Sequence, residues 1–520
     1  MPSWETERAA DRRGSAVIYS SNLVHSNALR PSDVIQRTTR GVVSLGGGQV
    51  AAQILNIGGM LLLARVLAPA EFGLVAILTF LLALLTAIGD LGLGMSLVRR
   101  PQEPTEAEYR TVASFQQTVA GGVVLVACAA TPLVVREYGL PRSDWWLLPM
   151  MAGAILADSV RFLPLARLER RLAFPQIGAV EVAQAIAFNG VLLPLAMRPE
   201  FRGQSFPIAV LARSITGALL AISLGPRSRG WGWDWPSVKP FLAFGLPYQG
   251  VNVITVARNS IVPVFVGLLL GRAAVGRLAW AVMVAGFPLT GLILFQRLYV
   301  GSFGRLQQHP AELREFVRRL VAVAHGVVAP LAVVTLVLID PIVRLAFGTV
   351  WLSAVPLVFW LWLGCLAIPT LAPLTGLLHA LGHSRVVFRV TLAATIATWV
   401  LGVPLVLAFG EVGIAIASLA VHVAGLAIWR TARRAVPFRV FWPAVFTWAC
   451  AAIAGVAVWW LQAMYPVETI PQLIVYGIAA LVVYVAIVGA GSAMLFWSAW
   501  EGLGSDVWRR PTAAFRFIEK

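Results

Sequence analysis

Residues 72–98 read FGLVAILTFLLALLTAIGDLGLGMSLV, a run whose only charged side chain is Asp90. Nothing in it alternates apolar with polar residues, as a strand of a membrane barrel would. It is long enough for a helix to cross hydrocarbon, which takes roughly 20 apolar residues. Working outward, runs of this kind recur along nearly the whole chain. They fall near 42–64, 72–98, 111–135, 145–165, 176–197, 206–224, 240–268, 274–299, 320–340, 354–380, 386–409, 412–432, 440–462 and 472–497. The expected fold class is therefore all-α: a polytopic transmembrane bundle of about 14 helices. Composition agrees. Of 520 residues, 58% are hydrophobic and 12% charged, with a mean hydropathy of +0.79. Soluble domains carry about 25% charged residues, so this chain cannot cover its surface for water and must meet lipid.

The net charge of +17 is placed for topology rather than for nucleic acid. Basic clusters at Arg99–Arg100, Arg167–Arg170–Arg171, Arg318–Arg319, Arg433–Arg434 and Arg509–Arg510 all fall on one side if the N-terminus is cytoplasmic. By the positive-inside rule both termini are then cytoplasmic, and the charge meets anionic headgroups. Residues 1–40 are polar and lack the apolar core of a signal peptide, so they read as a disordered cytoplasmic extension. Cys128, Cys365 and Cys450 lie inside apolar runs and read as small core residues, with no metal spacing. Thr105 and Glu108 have capping-box spacing ahead of span 3. Residues from Pro310, with Leu313, Phe316, Val317 and Leu320 on one face, read as an amphipathic helix that lies along the membrane surface and runs into span 9.

The chain repeats itself weakly. Displaced by 203 residues, Leu67, Ala68, Ala70, Phe72, Gly73 and Ala76 meet Leu270, Gly271, Ala273, Val275, Gly276 and Ala279. Displaced by 209, Pro164, Leu165, Leu168 and Leu172 meet Pro373, Leu374, Leu377 and Leu381. Such a displacement of six spans keeps the halves parallel, a transporter architecture with its path between them. The expected domains are an extension (1–40), an N-lobe of spans 1–6 (41–225), a C-lobe of spans 7–12 (226–435), spans 13–14 (436–500) and a cytoplasmic tail (501–520).

Several segments carry a family resemblance. Leu63-Ala-Arg-Val-Leu-Ala-Pro-Ala-Glu-Phe-Gly73, Gly89-Asp-Leu-Gly-Leu-Gly94 and Leu97-Val-Arg-Arg100 resemble the polysaccharide transporter family of the multidrug/oligosaccharidyl-lipid/polysaccharide flippase superfamily. Pro164-Leu-Ala-Arg-Leu-Glu-Arg-Arg-Leu-Ala-Phe174, Val266-Gly-Leu-Leu-Leu-Gly271 and Phe303-Gly-Arg-Leu-Gln307 fit as well, so the likeness covers roughly 40 to 440. The resemblance implies two six-helix lobes around a cavity. It also implies movement of undecaprenyl-diphosphate-linked sugar repeat units, for lipopolysaccharide or exopolysaccharide, across the bacterial inner membrane. Other polysaccharide-assembly proteins become candidate partners. Relatives often carry an acid in span 7, where this chain reads Ser260-Ile-Val-Pro-Val264. Coupling through such an acid is not expected here.

A flippase must escort a dianionic sugar-bearing headgroup past hydrocarbon, which calls for cations, amides and hydroxyls inside the bundle. Ionisable residues within spans are costly and mark such sites. Arg258 in span 7, with Asn252 and Asn259, leads the candidates, because a guanidinium fork suits phosphate. Arg213 in span 6 follows. Gln49, Gln53 and Asn56 share one face of span 1 and can meet sugar or a neighbouring helix. Arg65 at the outer end of span 1 and Arg297 at the inner end of span 8 are further phosphate candidates, though snorkelling and ordinary positive-inside placement explain them equally well. Asp90 and Glu181 are candidates for ion coupling. Asp90 also suits a turn between glycines, and Glu181 lies near enough to the cytoplasm for plain solvation. His325 and His422 read as structural, and Trp145–Trp146 and Trp459–Trp460 as interfacial belts.

Two other classes compete with a flippase. An exporter of cationic drugs should bury carboxylates where this chain buries arginines. A membrane polymerase or glycosyltransferase needs a sizeable outer loop of acids or histidines, and none is present. No cofactor is expected, and there is no phosphate-binding glycine loop for ATP.

Overall fold

The computed structural model describes residues 31–99, 103–171, 173–225, 230–290, 292, 303, 306–307, 309–438 and 440–491. Among the described residues every regular element is a helix, and 13 helices are long and apolar enough to cross a membrane. The remaining expected span, the first, ends the helix Pro31–Val66, whose apolar stretch Ala51–Val66 is shorter. That helix begins inside what reads as a polar extension. Residues 31–40 are helical.

Local chemistry sets the helix starts. Thr105 Oγ1 accepts the Glu108 N–H at 3.2 Å while the Glu108 carboxylate accepts the Thr105 N–H at 2.8 Å. This reciprocal cap opens span 3, Glu106–Glu137. Span 2, Pro69–Gly89, starts on a proline with Glu71 accepting the Ala68 N–H at 2.8 Å. Both satisfy amide donors that the first helical turn leaves open.

Three expectations need correction. The segment from Pro310 runs into span 9 as one helix, Pro310–Val337, but it does not lie along the membrane surface. Its apolar face has a better partner than the bilayer surface: Leu313 and Val317 are buried against Leu374, Leu377, Ile428 and Phe438. Span 10 is not one helix. A 3-10 stretch at Leu363–Leu366 separates Val355–Trp362 from Ile368–Ala380, where Gly364 faces the His422 ring. Cys128 is exposed rather than packed in the core, whereas Cys365 and Cys450 are buried.

The repeat displayed by the sequence is a contact in three dimensions. Span 2 crosses span 8, Arg272–Gly286, at the paired glycines Gly73 and Gly276. A Cβ on Gly73 would fall 1.8 Å from the Arg272 carbonyl oxygen, and one on Gly276 would fall 1.8 Å from that of Pro69. The displacement that matches Gly73 with Gly276 also matches Pro69 with Arg272, so the contact is reciprocal, as a pseudo-two-fold axis requires. Each lobe also ties its second helix to a later connection. In the N-lobe Glu71 lies 3.9 Å from Arg202; in the C-lobe Arg277 meets Glu411 at 2.8 Å, with the charges exchanged.

The cores are distributed unevenly along the bundle. At the end where Arg65 lies, one apolar cluster crosses the lobe boundary, joining Leu63 and Phe72 to Trp280, Phe347 and Trp351. Trp280 stacks on Trp351 at 5.3 Å, and Trp351 Nε1 donates to the Ala64 carbonyl at 2.8 Å. At the opposite, basic end there are two smaller clusters, the first of them taking in Phe241 of span 7. One gathers Leu93, Leu97, Tyr109, Val112, Leu163 and Phe241; another gathers Phe303, Leu313, Val317, Leu374 and Phe438. Spans 13, Phe441–Met464, and 14, Ile470–Gly491, lean on span 9, where Ala329 and Val333 pack with Cys450, Ala454 and Tyr484.

Candidate functional site

The N-lobe interior holds a network of charged and amide groups at membrane depth. Span 4, Leu147–Arg170, contributes Asp158 and Arg161, one turn apart and 3.1 Å from each other. Arg161 Nη1 donates to Gln184 Oε1 of span 5 at 3.1 Å, and Ser214 of span 6 donates to Asp158 Oδ2 at 3.1 Å. Gln184 Nε2 reaches the Arg213 carbonyl at 3.4 Å. Gln49 of span 1 donates to Glu181 Oε1 at 3.0 Å. Arg213 is exposed and within electrostatic reach of Asp158, Arg161 and Glu181. A lone charge at the centre of a span costs about 3 kcal/mol, so the opposed charges of this cluster offset one another.

The structure thus brings Gln49, Glu181 and Arg213 together and adds Asp158, Arg161 and Gln184, which the sequence reading passes over. A signal was present: Asp158 and Arg161 stand three residues apart inside an apolar run, the spacing of an intrahelical ion pair. Asn56 meets Asn189 of span 5, which donates to its Oδ1 at 3.3 Å. Gln53 is exposed.

Span 7 is a composite: an α-helix Trp235–Asn259, a π-helical stretch Ile261–Val266 containing Pro263, and a last turn Gly267–Leu270. Arg258 sits on the turn before the π-helical stretch, about 18 Å from Leu270 at 1.5 Å per residue. It is half-buried and has no hydrogen-bond or ion-pair partner among the described residues. Widened π turns recur at functional positions. Asn259 is exposed nearby, while Asn252 donates to Gln249 at 3.0 Å, and Gln249 reaches the Ala87 carbonyl of span 2 at 3.4 Å.

The other candidates make local contacts. Arg65 donates to the carbonyls of Leu345 at 2.5 Å and Ala346 at 2.9 Å, pinning the end of span 1 to the second lobe. Asp90 Oδ1 accepts the Gly92 N–H at 2.9 Å in a turn where Gly92 has φ +69° and abuts Gly245 of span 7. Trp448 Nε1 donates to His325 Nδ1 at 3.0 Å, so the ring is neutral and its Nε2–H faces Thr370 Oγ1 at 2.8 Å. Arg297 lies outside the described residues.

A cavity of about 500 Å³ opens between spans 2, 3 and 7, lined by Phe80, Leu84, Ile88, Leu133, Val256 and Leu268 among others. Its lining is almost wholly apolar and suits hydrocarbon rather than a charged group. Among the described residues no group of His, Cys, Asp and Glu has the grouping of a metal site.

The profile of the polysaccharide biosynthesis protein family matches residues 62–356. The chain belongs to that family. It is 24% identical over 319 residues to the lipopolysaccharide biosynthesis protein WzxC of Escherichia coli K12, an alignment covering 58% of this chain and 61% of that protein. Among solved structures it resembles lipid II flippase MurJ in an inward closed conformation. The TM-score is 0.67 at 13% identity, over 86% of this chain and 98% of that one. An inward-facing multidrug MATE-family transporter follows with a TM-score of 0.59 at 14% identity, over 74% and 94%. At these identities the likeness is one of fold.

Proposed function

We propose that this polysaccharide biosynthesis family member is a flippase. It carries undecaprenyl-diphosphate-linked oligosaccharide from the cytoplasmic to the outer leaflet of a bacterial inner membrane, without enzymatic chemistry, by alternating access of its two lobes. One observation carries the reading: Arg258, half-buried and without a hydrogen-bond or ion-pair partner among the described residues, stands in a bundle whose lobes share a core at the Arg65 end. The lobes share one extensive core at the Arg65 end, whereas at the basic end span 7 alone packs on the N-lobe through Phe241 and the Phe303–Phe438 cluster stays within the C-lobe. With the arginine clusters on the cytoplasmic side, this is a state closed to the outside.

In this account Arg258 receives the diphosphate, Asn259 and Asn252 bind its sugars, and Gln53 and Asn56 extend the polar wall. Arg213 and Gln49 join from the N-lobe cluster, with Glu181 the group best placed to couple an ion. Asp90 shapes the turn against span 7. Arg65 is released when the outer closure opens, and Arg297 is a capture residue near the cytoplasmic leaflet. A cationic-drug exporter fits less well, because Asp158 and Glu181 already have partners in Arg161 and Gln49.

Arg258→Ala should abolish surface polysaccharide in cells that depend on this gene, with the protein still in the membrane at normal level. Normal export by that variant removes Arg258 from the mechanism.

A further inference from the structure

The connection between spans 6 and 7 joins the lobes, and it reads Trp231-Gly-Trp-Asp-Trp235. All three indoles are exposed: Trp231 by 63%, Trp233 by 56% and Trp235 by 51%. The backbone that carries them is nonetheless fixed. The Gly232 N–H donates to Ser114 Oγ of span 3 at 3.1 Å, and a Cβ there would come within 3.2 Å of Arg110 and Thr111. The Phe115 ring lies 5.7 Å from Trp233 and 6.0 Å from Trp235. A little further on, Phe241 is buried with Leu93, Leu97, Tyr109 and Leu163 of the N-lobe.

The height of this docking follows from span 3. Its 32 residues extend about 48 Å, roughly 9 Å beyond each face of a 30 Å hydrocarbon core when centred. Ser114 lies about 12 Å along from Glu106, which sets Gly232 and its neighbours at the boundary between headgroups and acyl chains. The ion pairs Arg167–Glu106 at 2.8 Å and Arg170–Glu103 at 3.2 Å lie nearer the basic end, on the headgroup side. Tryptophan concentrates at this level because its ring is apolar and its N–H needs a polar partner. Arg110 and the exposed Lys239 flank the triplet and can meet anionic headgroups.

We infer that Trp231, Trp233 and Trp235 insert into the lipid interface and make the lobe-joining connection a bilayer-anchored strap held to the N-lobe. The choice of the cytoplasmic leaflet rests on the orientation proposed above; insertion itself does not. When the lobes reorient, the first turns of span 7 then stay with the N-lobe and the membrane surface.

The test compares the full-length protein with its Trp231→Phe/Trp233→Phe/Trp235→Phe variant. Both are reconstituted in phosphatidylethanolamine–phosphatidylglycerol vesicles with or without a phosphatidylcholine brominated near the top of one acyl chain. Phenylalanine keeps the contacts with Phe115. The difference in tryptophan emission between the two proteins isolates the triplet. It should lose more than half its intensity to the bromolipid and little to aqueous iodide. A difference signal quenched by iodide and untouched by bromolipid overturns the proposal, leaving the indoles in water for a soluble glycan or protein. If the triple variant fails to reconstitute, the three single Phe variants give the same readout. No transport is measured, so a failed flippase reading leaves this result standing.

Discussion

The two lobes follow one path of chain and bury different chemistry. The N-lobe carries Asp158, Arg161, Glu181, Gln184 and Ser214 in hydrogen-bonded contact between its helices. At the corresponding place in the C-lobe span 10 is broken at Leu363–Leu366, and its neighbours meet through Gly364, His422, Trp362 and Trp448. The C-lobe is also buttressed by spans 13 and 14, tied to span 9 through His325–Trp448 and through Tyr484, which donates to the Gly326 carbonyl at 3.2 Å. The difference teaches that a duplicated scaffold keeps its crossing contact and lets its interiors diverge. One half keeps polar groups at depth. The other invests in packing.

The sharpest way to break the comparison is at the one feature the halves share. Gly73→Val and Gly276→Val should each lower stability by about 3 kcal/mol, as overpacking against an immovable backbone does, and should do so equally. Thermal unfolding in detergent checks this, and a large inequality would remove the pseudo-two-fold axis. Asp158→Asn comes next. It leaves Arg161 and Arg213 without their nearest carboxylate, and partial exposure holds the cost to about 1–2 kcal/mol. Export should fall as well.

In the C-lobe, His325→Leu should cost a comparable 1–2 kcal/mol, roughly, by orphaning the Trp448 N–H and Thr370 hydroxyl. Export per folded molecule should stay normal, as measured by surface polysaccharide against membrane protein level. Impaired export there would erase the division between a polar lobe and a packed one. The smallest effect is expected at the exchanged ion pairs. Glu411→Gln should cost about 1 kcal/mol and Glu71→Gln a few tenths, in line with contacts of 2.8 and 3.9 Å. Unfolding of each variant beside the double Arg277→Glu/Glu411→Arg exchange checks that order.

The spans were legible because hydrocarbon imposes a length and a composition that few other structures share. The repeat was legible at Gly73 and Gly276 because their backbones touch, leaving no room for a side chain. Span 10 was misread as one helix since a 3-10 stretch keeps the same apolar composition. The helix at Pro310 was legible but its placement on the membrane surface was not, because an amphipathic face suits a protein groove as well as a membrane. Asp158 and Arg161 escaped notice because opposite charges one turn apart leave a span apolar on average. The partners of His325 and Arg65 lie 123 and 280 positions away, beyond the reach of any local pattern.

The central claim, that an anionic lipid-linked sugar crosses on Arg258, is tested most directly by reconstituted flipping. Vesicles holding the purified protein and a fluorescent undecaprenyl-diphosphate oligosaccharide would be exposed to an impermeant quencher of outer-leaflet fluorescence. The account predicts that wild-type protein makes the inner-leaflet pool accessible, and that Arg258→Gln slows this at least tenfold, a loss of about 1.4 kcal/mol or more in the barrier. Wild-type protein no faster than protein-free vesicles, or Arg258→Gln as fast as wild type, would contradict it.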